Sequence, residues 1–426
     1  MPTVDTVVIG AGHAGLATSR LLTEAGNDHV VLERGRIGER WRSERWDSLR
    51  LLTPNWMLRL PGSRYGGNDP DGFQSSVELV AMLEAYADSF AAPVVDGTTV
   101  EDVRASGRGT SRYRVTTDTG TWWARHLVVA TGPHGVPVLP AGLARAHPGS
   151  VDLVAARDYR NPAQIAPGGV LVVGASASGV QIAEELQKAG RQVTLAVGRH
   201  TRLPRSYRGF DIYWWLESTG RLARTLDEMP DRAAAYAEAS LQLIGRPPAG
   251  RSGSDVDLAA LQRRGVRLVG RLLEITDGTA LFGDDLPVRI SDADARMHRF
   301  LDAADEHAHR WGLEREIWGP ERPAPVPVPE APTRLDLAAE RIATVVVAAG
   351  YRPHHPWLKL PIVTPEGSIE QCRGMTSAPG CFSVGQRFQH RRDSGLITGA
   401  RHDAAHVVDH ISGAVRRSCN SQEATP

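Results

Sequence analysis

Two segments of this 426-residue chain carry glycines at a spacing suited to cradling a phosphate. In TVVIGAGHAGLATSRLLTEAGNDHVVLER these are Gly10, Gly12 and Gly15. In VLVVGASASGVQIAEELQKAGRQVTLAVGR the matching positions hold Gly174, Ser176 and Gly179. The same 16 residues separate Gly10 from Gly26 and Gly174 from Gly190. The first glycine of such a turn permits the sharp reversal after a strand. The second lets backbone approach a pyrophosphate, and the third lets helix pack on strand. A helix starting near Ala14 then offers unpaired N–H groups and a partial positive charge to the anion. One such turn is a weak signal; the same strand–turn–helix–strand unit twice in register is a strong one.

The ends of the following strands separate the two ligands. Glu33 lies 23 residues after Gly10, where an acid accepts hydrogen bonds from a ribose with a free 2′-hydroxyl, as in FAD or NAD. The same offset from Gly174 falls on Val197, and Arg199 follows. A guanidinium in place of a carboxylate suits a 2′-phosphate, hence NADPH. Arg205 and Arg208, further on, read as a solvated face.

Lysine plus arginine equals aspartate plus glutamate, 49 each, so bulk charge argues neither for nucleic acid nor for an anionic membrane. Only three cysteines occur, Cys372, Cys381 and Cys419, and none forms a C-x-x-C pair. That excludes a disulfide scaffold, argues against dithiol reductase chemistry and suggests a reducing cytoplasm. A strand begins within four residues of the start, and no apolar run is long enough to span a bilayer, so neither signal peptide nor membrane anchor is expected.

The elements that must position these turns follow from periodicity. Residues 3 to 33 form the first βαβ unit, followed by a tryptophan- and arginine-rich loop from Gly38 to Gly62. An amphipathic helix over 74–90 precedes strands at 99–103, 113–117, 121–124 and 126–130. The second βαβ unit spans 170–197. Residues 205–260 read as largely helical, 260–290 as short strands, 292–311 as helix and 320–332 as a proline-rich linker. A strand at 344–348 and a terminal strand–turn–helix complete the chain. The glycine-ended strands LVVATG and VVVAAG read as interdomain connections. The fold expected is α/β, with two Rossmann-like dinucleotide-binding domains of disulfide-reductase-like architecture. Residues 1–160 and 331–413 would form a discontinuous FAD domain, 161–330 an inserted NADPH domain, and 414–426 a polar tail.

Taken together, GAGHAG, GERW, ATG at Ala130–Gly132, GASASG, AAGY at Ala348–Tyr351 and SVGQ at Ser383–Gln386 resemble the class B flavin-dependent monooxygenases. SLRLLTPNW is particularly similar to the bacterial and plant indole-pyruvate subgroup. The resemblance implies that Gly10, Gly12, His13, Ala14, Gly15, Glu33 and Arg34 hold FAD together with Arg40, Trp41, Gly132, Gly385 and Gln386. It implies that Gly174, Ser176, Ser178, Gly179 and Arg199 hold NADPH. Trp46 and Asn55 are the candidate catalytic residues beside the flavin, and Trp214–Trp215 candidates for the substrate wall. The implied reaction passes a hydride from NADPH to the flavin and inserts one oxygen atom of O2 into a small molecule through a C4a-hydroperoxyflavin. No protein acid–base dyad is required.

The family's linker signature, F-x-G-x-x-x-H-x-x-x-Y/F-R/K, is degenerate here. Gly149, Tyr159 and Arg160 are present, Leu153 stands where the histidine is expected, and the spacing is two residues longer. Tyr159 in place of tryptophan weighs against Baeyer–Villiger chemistry. The departure keeps open an NADPH:acceptor oxidoreductase that inserts no oxygen, or a redox-sensing flavoprotein. His402, His406 and His410 recur at helical spacing without a completing ligand, so no metal site is expected. His354–His355 reads as a loop, and His390–Arg392 as a segment approaching FAD or the other domain. The expected partners are a small-molecule substrate and O2, without nucleic acid or membrane; a homodimer stays open.

Overall fold

The computed structural model describes residues 2–107, 109–140, 142–143, 151–236, 241–244 and 257–413. Runs of β-branched residues with no polar alternation are the mark of strands covered on both faces. Such runs build two parallel cores. In the first, Thr3–Ile9 lies between His29–Leu32 and Gly120–Val129, and both neighbours run parallel to it. Val94–Val95 extends the sheet beyond His29–Leu32, and Cys381–Ser383 pairs parallel with Gly120–Val129. Tyr113–Thr117 and Val100–Ala105 add an antiparallel meander. The segments expected as separate strands at 121–124 and 126–130 are one ten-residue strand. The exposed Arg125 interrupts its apolar pattern but not its backbone pairing.

The second sheet is wholly parallel. Its order is Asp152–Ala155, Ile342–Val347, Gly169–Val173, Val193–Ala196 and Arg267–Val269. All its strands fall between Val129 and Cys381 in sequence, so this unit is inserted into the first. The sheets exchange outside the expected positions at 160 and 330, because Asp152–Ala155 and Ile342–Val347 both join the inserted sheet. A short buried run carries no mark of which sheet it will enter. The two connecting segments also pair with each other: Val136–Pro137 runs antiparallel to Tyr351–Arg352, and the Val138 N–H donates to the Gly350 carbonyl at 2.9 Å.

The helix after the tryptophan-rich loop spans Ser76–Asp88. Ser75 and Glu78 close it with a reciprocal capping box, which explains a start two residues later than expected. The described part of 205–260 is less helical than expected: it holds short helices at Ile212–Ser218, Arg232–Tyr236 and Leu258–Arg263, with Leu241–Ile244, a strand parallel to Thr201–Pro204, between the last two. The long helix Leu286–Arg310 begins six residues before Asp292, with Pro287 in its first turn, where a missing N–H costs nothing. The last helix, Ile397–Ile411, packs on His13–Glu24 of the first cradle. The expected tail at 414–426 lies outside the described residues, as do Cys419 and Gly149. Among the described residues no helix is long and apolar enough to cross a membrane.

Candidate functional site: two dinucleotide cradles that share a wall

Backbone bonds in the two glycine turns repeat one another. The Gly10 N–H donates to Leu32 O at 2.8 Å, and the Gly174 N–H to Ala196 O at 3.0 Å. Leu16 and Val180 close the first helical turns onto Gly12 O and Ser176 O, at 2.9 and 3.2 Å. Gly10 and Gly174 have φ of 107° and 113°, a region that excludes ordinary L-residues. A Cβ on Gly15 would overlap the Gly10 carbonyl oxygen, and one on Gly179 the Gly174 oxygen. These glycines are therefore fixed by the backbone itself.

Gly12 differs, because a Cβ there meets nothing within 4 Å. Space is left over the turn, and the helix His13–Glu24 has no side-chain cap on its first N–H groups. Ala177–Lys188 is likewise uncapped, Ser176 making no capping bond. Ser75, Asp211 and Asp257 cap three other helices, whereas Leu286–Arg310 and Ile397–Ile411 also begin without a side-chain cap. Two uncapped helix starts facing open space fit a phosphate at each turn.

Glu33 is buried and accepts from the Ala11 N–H at 2.7 Å and from the Gly35 N–H at 3.1 Å, which holds its carboxylate at the mouth of the first turn. His13, at the helix start, is pushed down to about 4 by burial and is neutral at physiological pH; its Nε2 is buried with no protein partner. A cavity of about 440 Å³ is lined by Gly10, Gly12, His13, Ala14, Glu33 and Arg34, and by Arg40, Trp41, Gly132 and Gly385. A second, of about 840 Å³, is lined by Gly174, Ser176, Ser178, Arg199 and Trp46. Arg45, Pro133 and His134 line both, so the cavities adjoin.

The chemistry of that junction is cationic. Glu44 lies buried among Arg34, Arg40 and Arg157, at 2.8, 3.8 and 3.4 Å. The Arg45 guanidinium lies 4.9 Å from the Trp41 ring centroid. The Arg40 guanidinium also donates to the His134 carbonyl. Burial and then the charges of Arg45, Arg40 and Arg387 push His134 down to about 3, so its imidazole stays neutral. The Tyr351 ring packs edge-on against it at 5.2 Å.

Not every expected site residue reaches a cavity wall. Gly15 and Gly179 lie beneath their turns. Asn55 is buried away from both cavities, its amide N–H bonded to Asp69 O at 2.9 Å and its Oδ1 without a partner. Gln386 lines neither cavity, although its neighbours Gly385 and Arg387 line one each, and its Nε2 is buried and unpartnered. Trp46 both lines the larger cavity and packs with Tyr159, Ile165 and Val180. Tyr159 is buried, its hydroxyl donating to Glu185 at 2.6 Å. Trp214 and Trp215 stand elsewhere, against Met297, Phe300 and Leu301, with the Trp215 indole N–H on Tyr207 O at 2.7 Å. The expected substrate wall is here a packed core.

Arg205 and Arg208 are not a solvated face. Arg205 is buried on Asp211 at 2.6 Å and Arg208 meets Asp305 at 2.9 Å, because each has a carboxylate brought to it by the fold. His390–Arg392 meets the inserted unit: Leu226 and Arg392 donate to His390 O and Arg224 O, both at 2.9 Å. Among the described residues no group of three or more potential ligands could hold a metal ion. Cys372 is exposed and Cys381 buried, and neither lines either of these two cavities.

Sequence reasoning missed Arg45, His134, Arg271, His354, His355 and Arg387, all of them wall residues. Arg45 could have been read from its place between Trp41 and Trp46, and His134 from its place after the ATG turn. His355 bonds Thr131 Oγ1 at 3.2 Å and Gly367 O at 2.9 Å, contacts without any local sequence signal.

Residues 7–219, half of the chain, match the model of the pyridine nucleotide-disulphide oxidoreductase family. An uncharacterized CzcO-like oxidoreductase of Geobacillus kaustophilus is 29% identical over 412 residues, 96% of this chain and 98% of its own length. The indole-3-pyruvate monooxygenase YUCCA1 of Oryza sativa subsp. japonica is 31% identical over 214 residues, covering 49% of this chain and 51% of that protein. The solved flavin-containing monooxygenase from Stenotrophomonas maltophilia shares the fold, with a TM-score of 0.65 at 21% identity over 97% of this chain and 99% of its own. The chain belongs to the pyridine nucleotide-disulphide oxidoreductase family, and within it resembles the flavin-dependent monooxygenases, for which FAD and NADPH are the dinucleotides its two cradles suit.

Proposed function

We propose that this chain is an NADPH- and O2-dependent flavin monooxygenase acting on a small organic molecule in a reducing, cytoplasmic setting. The supporting observation is the wall that the two cavities share at Arg45, Pro133 and His134. The balanced reaction consumes NADPH, one proton, O2 and substrate, and yields NADP⁺, water and the oxygenated product. FAD, when bound, supplies the electron transfer and the activation of O2.

The protein's part is binding, orientation and dryness. Gly10, Gly12 and the start of helix His13–Glu24 would hold the FAD pyrophosphate, with Glu33 on the ribose. Gly174, Ser176 and Ser178 would hold that of NADPH, with Arg199 on the 2′-phosphate. Arg40 and Arg45 put fixed positive charge at the junction, where negative charge develops. His134, held neutral on the shared cavity wall, adds no competing cation there. Trp41, Trp46 and Pro133 wall the junction against water, which matters because water diverts reduced O2 to H2O2.

The test is FAD-loaded protein given NADPH in air with a panel of sulfides, amines and aromatic ketones, comparing NADPH consumed, H2O2 released and ¹⁸O from ¹⁸O2 in product. Label in a product and a peroxide yield below NADPH consumption support the proposal. Full conversion of NADPH to H2O2 with every compound makes the chain an acceptor reductase instead. Two variants extend this. Arg199→Ala should raise the NADPH KM about 30-fold, the loss of one charge-assisted phosphate contact of about 2 kcal/mol, with little change for NADH. Trp46→Ala should cost about 3 kcal/mol of stability, seen in a denaturant midpoint, and raise the peroxide fraction. An unchanged peroxide fraction would remove Trp46 from the site.

A further inference from the structure

The two cradle units match in strand register and backbone bonding, and the match extends to the third strand of each. Leu32 pairs with Val95 in the first unit and Ala196 with Val269 in the second. One step on, the Glu33 N–H donates to Val95 O at 3.0 Å and the Val197 N–H to Val269 O at 2.9 Å. Counting forward from these matched pairs, Gly35 corresponds to Arg199 and Gly97 to Arg271. In the first unit the two glycines touch, the Gly97 N–H donating to Gly35 O at 2.9 Å. In the second both positions are arginine, and both arginines line the cavity of about 840 Å³.

Resting on the NADPH reading above, we infer that Arg199 and Arg271 form a two-armed clamp for the coenzyme's 2′-phosphate, with Arg271 the specificity residue that sequence motifs miss. The two side chains leave the carboxyl ends of adjacent parallel strands, the edge at which open α/β sheets take their ligands. Where the first unit places an acid, Glu33, the second has the buried Val197, so no carboxylate at that position repels a phosphate. Two guanidiniums match the dianionic, three-oxygen face of a phosphate monoester better than one.

The base of the second arm is rigid. The Arg271 N–H donates to Asp285 Oδ1 at 3.0 Å, and its carbonyl accepts from the Gly283 N–H at 2.9 Å. A Cβ on Gly270 would overlap Gly283 O, so these loops pack backbone on backbone. Asp285 Oδ2 is engaged by Arg289 at 2.9 Å. Other arginines nearby are committed elsewhere. Arg202 is buried against Asp294, Arg205 pairs with Asp211 and Arg208 with Asp305. Arg45 and Arg387 stand by His134, at the junction end of the cavity.

The experiment is calorimetric binding of NADP⁺, NAD⁺, adenosine 2′,5′-bisphosphate and 5′-AMP to the FAD-loaded protein, which needs no turnover. Arg271→Ala should weaken NADP⁺ and the bisphosphate by about 10- to 30-fold while moving NAD⁺ and 5′-AMP less than about twofold. Arg271→Lys should fall between, and Arg199→Ala/Arg271→Ala should bind NADP⁺ no better than NAD⁺. Retained binding of 5′-AMP certifies a folded site in each variant; should Arg271→Ala fail to fold, Arg271→Gln takes its place. Wild-type preference for NADP⁺ with no loss in Arg271→Ala overturns the clamp and leaves the coenzyme reading standing. Equal losses for NADP⁺ and NAD⁺ make Arg271 a general support and also overturn it. A wild-type protein indifferent to the 2′-phosphate overturns both.

Discussion

Gly15→Ala should give a colourless protein. Its methyl group would lie 1.9 Å from the Gly10 carbonyl oxygen, so helix His13–Glu24 must move off strand Thr3–Ile9. Overpacking of this kind costs about 1–3 kcal/mol in a side-chain core, and backbone against backbone has less freedom to yield. The helix start that would face the pyrophosphate moves with it. The expected result is loss of the 450 nm flavin absorbance after incubation with excess FAD, together with a lower Tm. Gly12→Ala separates the two effects: its Cβ meets no protein atom within 4 Å, so the fold should survive while FAD affinity falls. Gly179→Ala, with the same overlap in the second turn, should stay yellow yet fail to be reduced by NADPH. A yellow, fully loaded Gly15→Ala protein would show that the first turn is not the FAD cradle.

Asp403→Asn should stabilise the protein at pH 8 and do little at pH 4. Asp403 is about 1% exposed on helix Ile397–Ile411, and no well-formed hydrogen bond reaches either carboxylate oxygen. Burial, aided by the charge of Asp393, raises it to about 7; the Ser394 hydroxyl and Arg391 offset this only in part. The unfolded chain holds the same group near 4. Folding therefore loses nothing through Asp403 below pH 4, progressively loses stability as pH rises from 4 to 7, and carries the full penalty above 7. The gap corresponds to on the order of 3–4 kcal/mol. Denaturant midpoints for both proteins at pH 4.5 and 8 measure it. A pH-independent difference would mean that Asp403 is charged and satisfied throughout.

The parts of the site legible in the sequence are those whose chemistry is local. The turns at Gly10–Gly15 and Gly174–Gly179 are written in one stretch each, because strand, reversal and helix start are consecutive in the chain. Glu33 and Arg199 were readable at fixed offsets for the same reason. What could not be read depends on distant pairing. Arg205 and Arg208 looked solvated because Asp211 and Asp305 reach them only after folding. Trp214 and Trp215 looked like a substrate wall because aromatic side chains serve cores and pockets alike. Arg271 emerges only from strand register, and Ile342–Val347 looks the same whichever sheet it enters. In the strand ending at Val129 the apolar pattern breaks at Arg125 while the backbone pairing runs on, and sequence shows only the first of these.

The paired crossings have a mechanical meaning. Because Val136–Pro137 and Tyr351–Arg352 are bonded side by side, the inserted unit is joined to its host by a single two-ply ribbon rather than two separate tethers. The ribbon is not the whole join: Arg392 donates to Arg224 O at 2.9 Å and Arg205 to Leu52 O at 2.6 Å, each across the two halves. His134 and Tyr351 flank that crossing with their rings edge-on at 5.2 Å, so the wall common to both cavities is anchored where the outgoing and returning strands are bonded to each other.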